Sequence, residues 1–233
     1  MNRVASGLKA LAAAGMLAMA MPALAERPMV VDDAGTLDKG GAKLEFGWGR
    51  DDKAKGFDGA VGFGPVENVE LELGYGHLRD RSPNPDLHER GAGAALKWVP
   101  LQAETGLSAG LKLEYGRVRS DFGGEGRETV RARGATGLAS WAFASGRKLH
   151  VNLGREWARV EHDTEAANTW GTGFEQPLGA GLTVTAEIFG AEHARPDKQL
   201  GLRYEIADGL ALSAAVGRGN DRGFANAGVA WEF

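Results

Sequence analysis

The sequence predicts an all-β fold: a closed antiparallel transmembrane β-barrel of about 12 strands, with short periplasmic turns and longer extracellular loops. Three observations predict it. Apolar residues alternate with small or polar ones through segments of roughly nine to eleven residues, the length at which a tilted strand crosses a bilayer. Short and long connections alternate along the chain. The N-terminal residues have the features of an export signal.

Residues 1–25 are predicted to be a cleaved signal peptide. Arg3 and Lys9 precede an apolar stretch over residues 10–20, and small residues form a cleavage site that ends at Ala25. The apolar stretch is shorter than the roughly 20 residues that a membrane-spanning helix needs. We therefore expect export to the outer membrane of a Gram-negative-type cell.

The composition excludes several classes of function. The formal net charge is −4, whereas a nucleic-acid partner requires a basic face. The chain has no cysteine, so it has no disulfide, thiol nucleophile or thiolate metal site. We expect no cofactor and no metal. Glycine is abundant, at 36 of 233 residues, and is spread through the patterned segments rather than gathered in linkers.

The first five strands are predicted from alternation with a period of two. In the first, Ala42, Leu44, Phe46 and Trp48 share one face, and charged or small residues occupy the other. The next four predicted strands lie in residues 57–63, 69–77, 93–98 and 107–115.

The sixth strand, residues 130–143, is less regular. If Arg131 and Arg133 face the polar side, Trp141 falls on the same side as these arginines. A bulge or phase slip near Ser140 is therefore expected.

The last six strands restore the alternation. They are predicted in residues 148–154, 170–175, 182–188, 199–206, 210–217 and 225–233. Closure of the barrel would pair the last of them with Ala42–Trp48. A final strand that ends in an aromatic residue is also typical of outer-membrane barrels, so Phe233 is expected to be read by the outer-membrane assembly machinery.

The connections differ in length on the two sides. Those after even strands are short, at 64–68, 100–106, 144–147, 177–181 and 207–209. Those after odd strands are mostly longer and charged, at 50–56, 78–90, 117–129, 159–168, 192–198 and 218–223. This asymmetry is typical of outer-membrane barrels.

Aromatic residues are placed as membrane-interface girdles would place them. Trp98, Trp231 and Phe233 fall at the short-turn end of their strands, and Trp48 and Trp170 fall at the long-loop end. The alternative is a soluble β-sandwich or lipocalin-like barrel, whose apolar face would point inward.

Charged residues on the second face are the candidates for function. Acids and bases are nearly balanced there, so we expect a narrow polar lumen that passes small solutes through the outer-membrane lipid. The predicted constriction comprises Glu72, Lys112, Glu114, Arg133, Glu187 and Arg203. A filled, non-conducting structural or assembly barrel is the alternative.

The segment over residues 26–40 precedes the barrel, which is expected over residues 41–233. Asp32 and Asp33 could bind a cation, or the segment could enter the lumen as a plug. Asp and Gly are ordinary turn residues, and two carboxylates supply too few oxygen ligands for a cation site, so the pattern favours a periplasmic turn.

The same segment resembles a known family. Arg27-Pro28, Asp32-Asp33-Ala34-Gly35 and Gly40-Gly41 are similar to the opening of the outer-membrane transporter family labelled "meta-pathway of phenol degradation". The resemblance covers about 25 residues. It implies an outer-membrane barrel that passes small, often hydrophobic compounds, and it brings no catalytic residue with it.

An outer-membrane lipid hydrolase is the enzymatic alternative to a channel. It needs a Ser–His pair. His150 is expected to point inward near the short-turn end, with Ser140 and Ser145 before it, but no hydrolase motif surrounds any serine. We therefore expect no enzyme.

Overall fold

The computed structural model describes residues 27–81, 85–123, 126–219 and 222–233. The predicted signal peptide, residues 1–25, lies outside them. Within these ranges no helix has the length and apolar character needed to cross a bilayer.

The described residues form twelve strands that close into a barrel. The strands are β1 (Ala42–Asp51), β2 (Ala54–Val66), β3 (Val69–Asp80), β4 (Leu87–Leu101), β5 (Gly106–Asp121), β6 (Arg127–Ala142), β7 (Lys148–Val160), β8 (Asp163–Gly179), β9 (Leu182–Ala191), β10 (Asp197–Ala207), β11 (Leu210–Gly219) and β12 (Arg222–Glu232). Each strand pairs antiparallel with its neighbours in the chain, and β12 pairs with β1. The predicted closed antiparallel barrel is confirmed.

The seam between β1 and β12 has the predicted partners. Leu44 lies opposite Trp231, and Trp48 lies opposite Ala227. Below them, Ala42 and Phe233 exchange two backbone hydrogen bonds, at 2.8 and 2.9 Å. Pairing at the seam therefore leaves neither strand with a free edge, whose backbone groups could not form hydrogen bonds with lipid.

The direction of the apolar face distinguishes a membrane barrel from a soluble one. Leu73 and Leu153 are each 66 % exposed on the outside, whereas the charged Glu45 and Glu187 are only 6 % and 7 % exposed inside. A soluble barrel would have the reverse arrangement. An apolar outer belt on a closed barrel confirms the predicted outer-membrane location.

The extracellular connections differ from the prediction in extent. β5 continues to Asp121 and β6 begins at Arg127, so most of the polar segment 117–129 is paired strand. The segment 78–90 is likewise largely taken up by β3 and β4. Polar composition marks where the strands leave the lipid, and it does not mark where backbone pairing stops.

β6 keeps one uninterrupted alternation. Its pairing with β5 and β7 shows no bulge over the described residues, so the predicted phase slip near Ser140 does not occur. Val130 and Leu138 point inward, and Arg133 points outward between Tyr115 and Trp157. On this inner face Leu138 packs against two other buried residues, Ala34 and Val99.

Candidate functional site

Residues 27–38, called the lumen segment below, lie inside the barrel. They contact the periplasmic half of the wall and pass almost completely around it. Moving from Leu37 back to Arg27, the segment bonds to β3, β6, β4, β5, β7, β9 and β10, and then reaches β1 and β2. We expected a periplasmic turn at Asp32–Gly35. The structure instead gives an irregular, buried stretch, because side chains of the wall bind its backbone.

Side chains of the wall bind successive backbone groups of the lumen segment. Both Val30 and Val31 donate their N–H groups to the Glu187 carboxylate, at 3.0 and 2.8 Å. The N–H of Asp32 donates to Asn152 Oδ1 at 2.7 Å, and Asn152 Nδ2 donates back to the Asp32 carbonyl at 2.8 Å. Gln199 Nε2 donates to the Pro28 carbonyl at 2.7 Å. The wall thereby satisfies a buried chain that has no strand partner of its own.

Two lysines of the wall hold the carboxylates of the segment. Lys97 Nζ lies 2.8 Å from Asp32 Oδ1 and 2.8 Å from Asp33 Oδ1. Lys112 Nζ lies 2.8 Å from Asp32 Oδ2 and 3.3 Å from Glu114 Oε1. Asp32 is buried, and each of its two carboxylate oxygens is paired with an ammonium group. These ion pairs replace the water that a buried carboxylate lacks. The geometry is that of an internal ion-pair cluster in which the two lysines take the place of a cation.

Arg27 forms a second charged cluster at mid-wall. Its Nε lies 3.4 Å from Glu45 Oε2, and its guanidinium also pairs with Asp58. Lys43 links Glu45 to Glu70 and Glu72 at 3.3 to 3.5 Å. The part of the wall around Arg27, a basic residue of the segment, is therefore predominantly acidic.

Glycines of the wall provide the space that the segment fills. A Cβ at Gly47 would lie 2.1 Å from Arg27 Nη1, and a Cβ at Gly173 would lie 2.3 Å from Met29 Cε and 3.3 Å from Val31 Cβ. At these distances a larger residue would displace the Arg27 guanidinium or the Met29 methyl group from its place. The inner wall is shaped to accept the segment.

Ser140, His150 and Glu175 form a hydrogen-bonded chain beneath the segment. Ser140 Oγ is 2.7 Å from His150 Nδ1, and His150 Nε2 is 3.1 Å from Glu175 Oε1. Ala34 donates its N–H to Ser140 Oγ at 2.7 Å, and Arg203 pairs with the other oxygen of Glu175. The order of residues is that of a hydrolase triad. His150 is nevertheless fully buried, so no substrate reaches it while the segment is in place.

Five of the six predicted constriction residues lie on the inner face. Lys112 and Glu187 bind the segment directly, and Arg203 donates to the Arg27 carbonyl at 3.4 Å. Glu72 and Glu114 pair with lysines of the wall at 3.5 and 3.3 Å. The sixth, Arg133, is a correction: it lies on the outer face with its guanidinium carbon 5.5 Å from the Trp157 ring centroid.

The five aromatic residues predicted for the girdles are all exposed on the outer face. They are Trp48, Trp98, Trp170, Trp231 and Phe233. The rings of Trp231 and Phe233 lie 4.6 Å apart beside the seam.

Sequence reasoning missed several residues that form the site. Arg27, Ser140, Asn152 and Gln199 were not selected, and His150 was assigned only a direction. Ser140 is 106 residues from its partner Ala34, and Asn152 is 120 residues from Asp32. The alternation placed Asn152 and Gln199 on the inner face, but it did not place Ser140 there, and it could not show the segment that these residues bind.

Comparison with known proteins gives one family and a set of related folds. A family model described as "Uncharacterised conserved protein UCP029691" matches residues 13–230. The chain belongs to this family. The match does not confirm the resemblance of the N-terminal segment to the "meta-pathway of phenol degradation" family, and no curated protein matches the chain.

Solved structures similar to this family member are outer-membrane barrels. The translocator domain of the autotransporter NalP from Neisseria meningitidis is 14 % identical, with a TM-score of 0.58 over 84 % of this chain and 88 % of that one. The KdgM porin is 11 % identical, with a TM-score of 0.57 over 82 % and 99 %. The NanC porin is 8 % identical, with a TM-score of 0.56 over 82 % and 98 %. At these identities the likeness shows the fold.

Proposed function

We propose that this protein is an outer-membrane channel for small solutes and that the lumen segment closes it. The observation that carries the proposal is the mode of attachment. The segment is held by individual hydrogen bonds and ion pairs to wall side chains, and it has no place in the strand ladder. Such contacts can be exchanged for water one at a time as the segment leaves, whereas a paired strand would have to break the barrel.

The lumen that the segment would uncover is polar, and carboxylates outnumber cations on its wall. The expected balance of charge does not hold, because Arg131 and Arg133 lie on the outer face. The buried ammonium groups are Lys43, Lys97 and Lys112, whereas the buried carboxylates include Glu45, Glu70, Glu72, Glu175 and Glu187. We therefore expect a conducting state to admit small polar solutes and to favour cations over anions.

An engineered disulfide tests whether movement of the segment opens the channel. The chain has no cysteine, so the pair Ala34→Cys with Ser140→Cys introduces the only possible disulfide. The backbone N–H of Ala34 is 2.7 Å from Ser140 Oγ, so the two positions are in contact. In planar bilayers the oxidised double variant should lose conductance, and a reductant should restore it. Each single-cysteine variant is the matched control and should conduct in both conditions.

The alternatives predict different results from the same measurements. A non-conducting assembly barrel would give no conductance in wild type or in the reduced double variant. A lipid hydrolase would cleave phospholipid or lipid A in the wild-type preparation and would lose that activity in Ser140→Ala. The similar structures are porins and transport barrels, which favours the channel.

A further inference from the structure

A dense group of arginines lies on the outer face of the barrel, at the extracellular ends of β5, β6 and β7. Arg117 lies opposite Arg131, and Arg131 lies opposite Arg159, so three guanidinium groups stand side by side in one row across the sheet. The row is called the arginine row below. All three side chains are exposed. Like charges directly opposite each other destabilise a sheet, so this arrangement calls for a counter-anion.

The arginine row has few anions of its own. Among the described residues, Arg117 and Arg131 form no ion pair, and Arg159 bonds only to the Glu161 carbonyl, at 3.3 Å. The row and Arg127 line a cavity of about 280 Å³, which Glu128 and Glu161 also line. Arg127 is already paired with Asp121 at 2.8 Å. The cavity therefore has an excess of unpaired positive charge.

The position of the arginine row along the barrel axis can be compared with the level of the membrane surface. Immediately below it, Tyr115, Arg133 and Trp157 form the preceding outward row, and the next outward residue of β5 is the exposed Leu113. Aromatic side chains of this kind sit at the headgroup level of a bilayer. Two residues along a strand span about 6.6 Å. The arginine row consequently faces sideways, at or just above the level of the outer-leaflet headgroups.

We propose that the arginine row binds the phosphate groups of the lipopolysaccharide in the outer leaflet. Guanidinium groups bind phosphate oxygens through paired N–H donors, and a row of three matches a headgroup that carries more than one phosphate. A soluble anion would be drawn to either face of the barrel, but the row is directed outward over the apolar belt, where lipid headgroups lie. Arg133, next to Trp157, extends the same basic surface down to the girdle.

Lipid binding by purified variants tests the proposal. Native mass spectrometry of the full barrel with diphosphoryl lipid A should show binding that falls about tenfold or more in Arg117→Gln/Arg131→Gln/Arg159→Gln. The matched control is Lys39→Gln/Lys53→Gln/Arg147→Gln, which removes three exposed cations that lie in connections between or before strands and not on the outer face of the sheet. This control should bind as wild type does.

Further comparisons keep the test decisive. Lipid A without phosphate should bind the wild type and the row variant equally weakly. Equal binding of the two triple variants, or equal binding of lipid A with and without phosphate, would overturn the proposal. If the triple variant does not fold, Arg131→Gln should weaken binding more than Arg131→Lys, which keeps the charge and loses the paired donors. Equal effects of these two substitutions would also count against it.

Discussion

Individual residues at the centre of the lumen decide whether the segment stays in place. Asp32 accepts from Lys97 and Lys112, each at 2.8 Å, while its own backbone is bound by Asn152. The sequence predicted that Lys112 faces inward, but the partner of that lysine could not be inferred. Local sequence favoured a turn at Asp32, and only the tertiary structure brings two lysines from β4 and β5 to the same carboxylate.

Neutralising Asp32 should release the lumen segment. Asp32→Asn leaves Lys97 and Lys112 without their shared carboxylate, and removing one partner of a buried ion pair costs about 3–5 kcal/mol. Single-channel recordings should therefore show the open fraction rising about tenfold or more. Asp38→Asn is the control, because Asp38 belongs to the same segment and is exposed. Unchanged gating in Asp32→Asn would argue against closure by the segment.

Strands were predicted more reliably than the connections between them. Alternation located all twelve strands, because lipid outside and polar groups inside impose a period of two on each. It failed for β6, where the inner face carries Val130 and Leu138 and the outer face carries Arg131 and Arg133. Near the extracellular end the outside of the barrel is water or headgroup, so arginine is acceptable there and polarity no longer identifies the lumen.

The β5–β6 hairpin should resist protease along its polar length. If residues 117–129 formed a loop, trypsin would cleave at Arg117 and Arg119 as readily as at Arg127. In the structure Arg117 and Arg119 are paired in the strand ladder, so cleavage should begin at Arg127, which lies at the end of the hairpin and whose side chain is 72 % exposed. Mass spectrometry of timed digests would identify the first cut, and heat-denatured protein, cleaved at every site, is the control. Early cleavage at Arg117 or Arg119 would contradict the paired hairpin.

At the scale of the whole molecule, the barrel and the lumen segment are held together by different interactions. The barrel closes through continuous backbone pairing, including the seam of β1 with β12. The segment is attached mainly by side chains of the wall, such as Glu187 and Ser140. Closure could be predicted from the even strand count and the patterned final strand. The occupied lumen could not, because several of its contacts join residues more than 100 positions apart.

This separation predicts that the barrel assembles without the segment. Deletion of residues 27–37 removes the partners of Lys97 and Lys112, but water that enters the emptied lumen can solvate both lysines. Folded barrel should therefore form, with a lower thermal unfolding midpoint and a steady conductance that no longer closes. Phe46→Pro is the contrasting variant: Phe46 pairs with Val229 across the seam, and proline there removes a backbone donor. It should reduce assembled barrel in outer-membrane fractions, whereas the deletion should not. Equal loss of assembly in both variants would mean that the segment is part of the folding core.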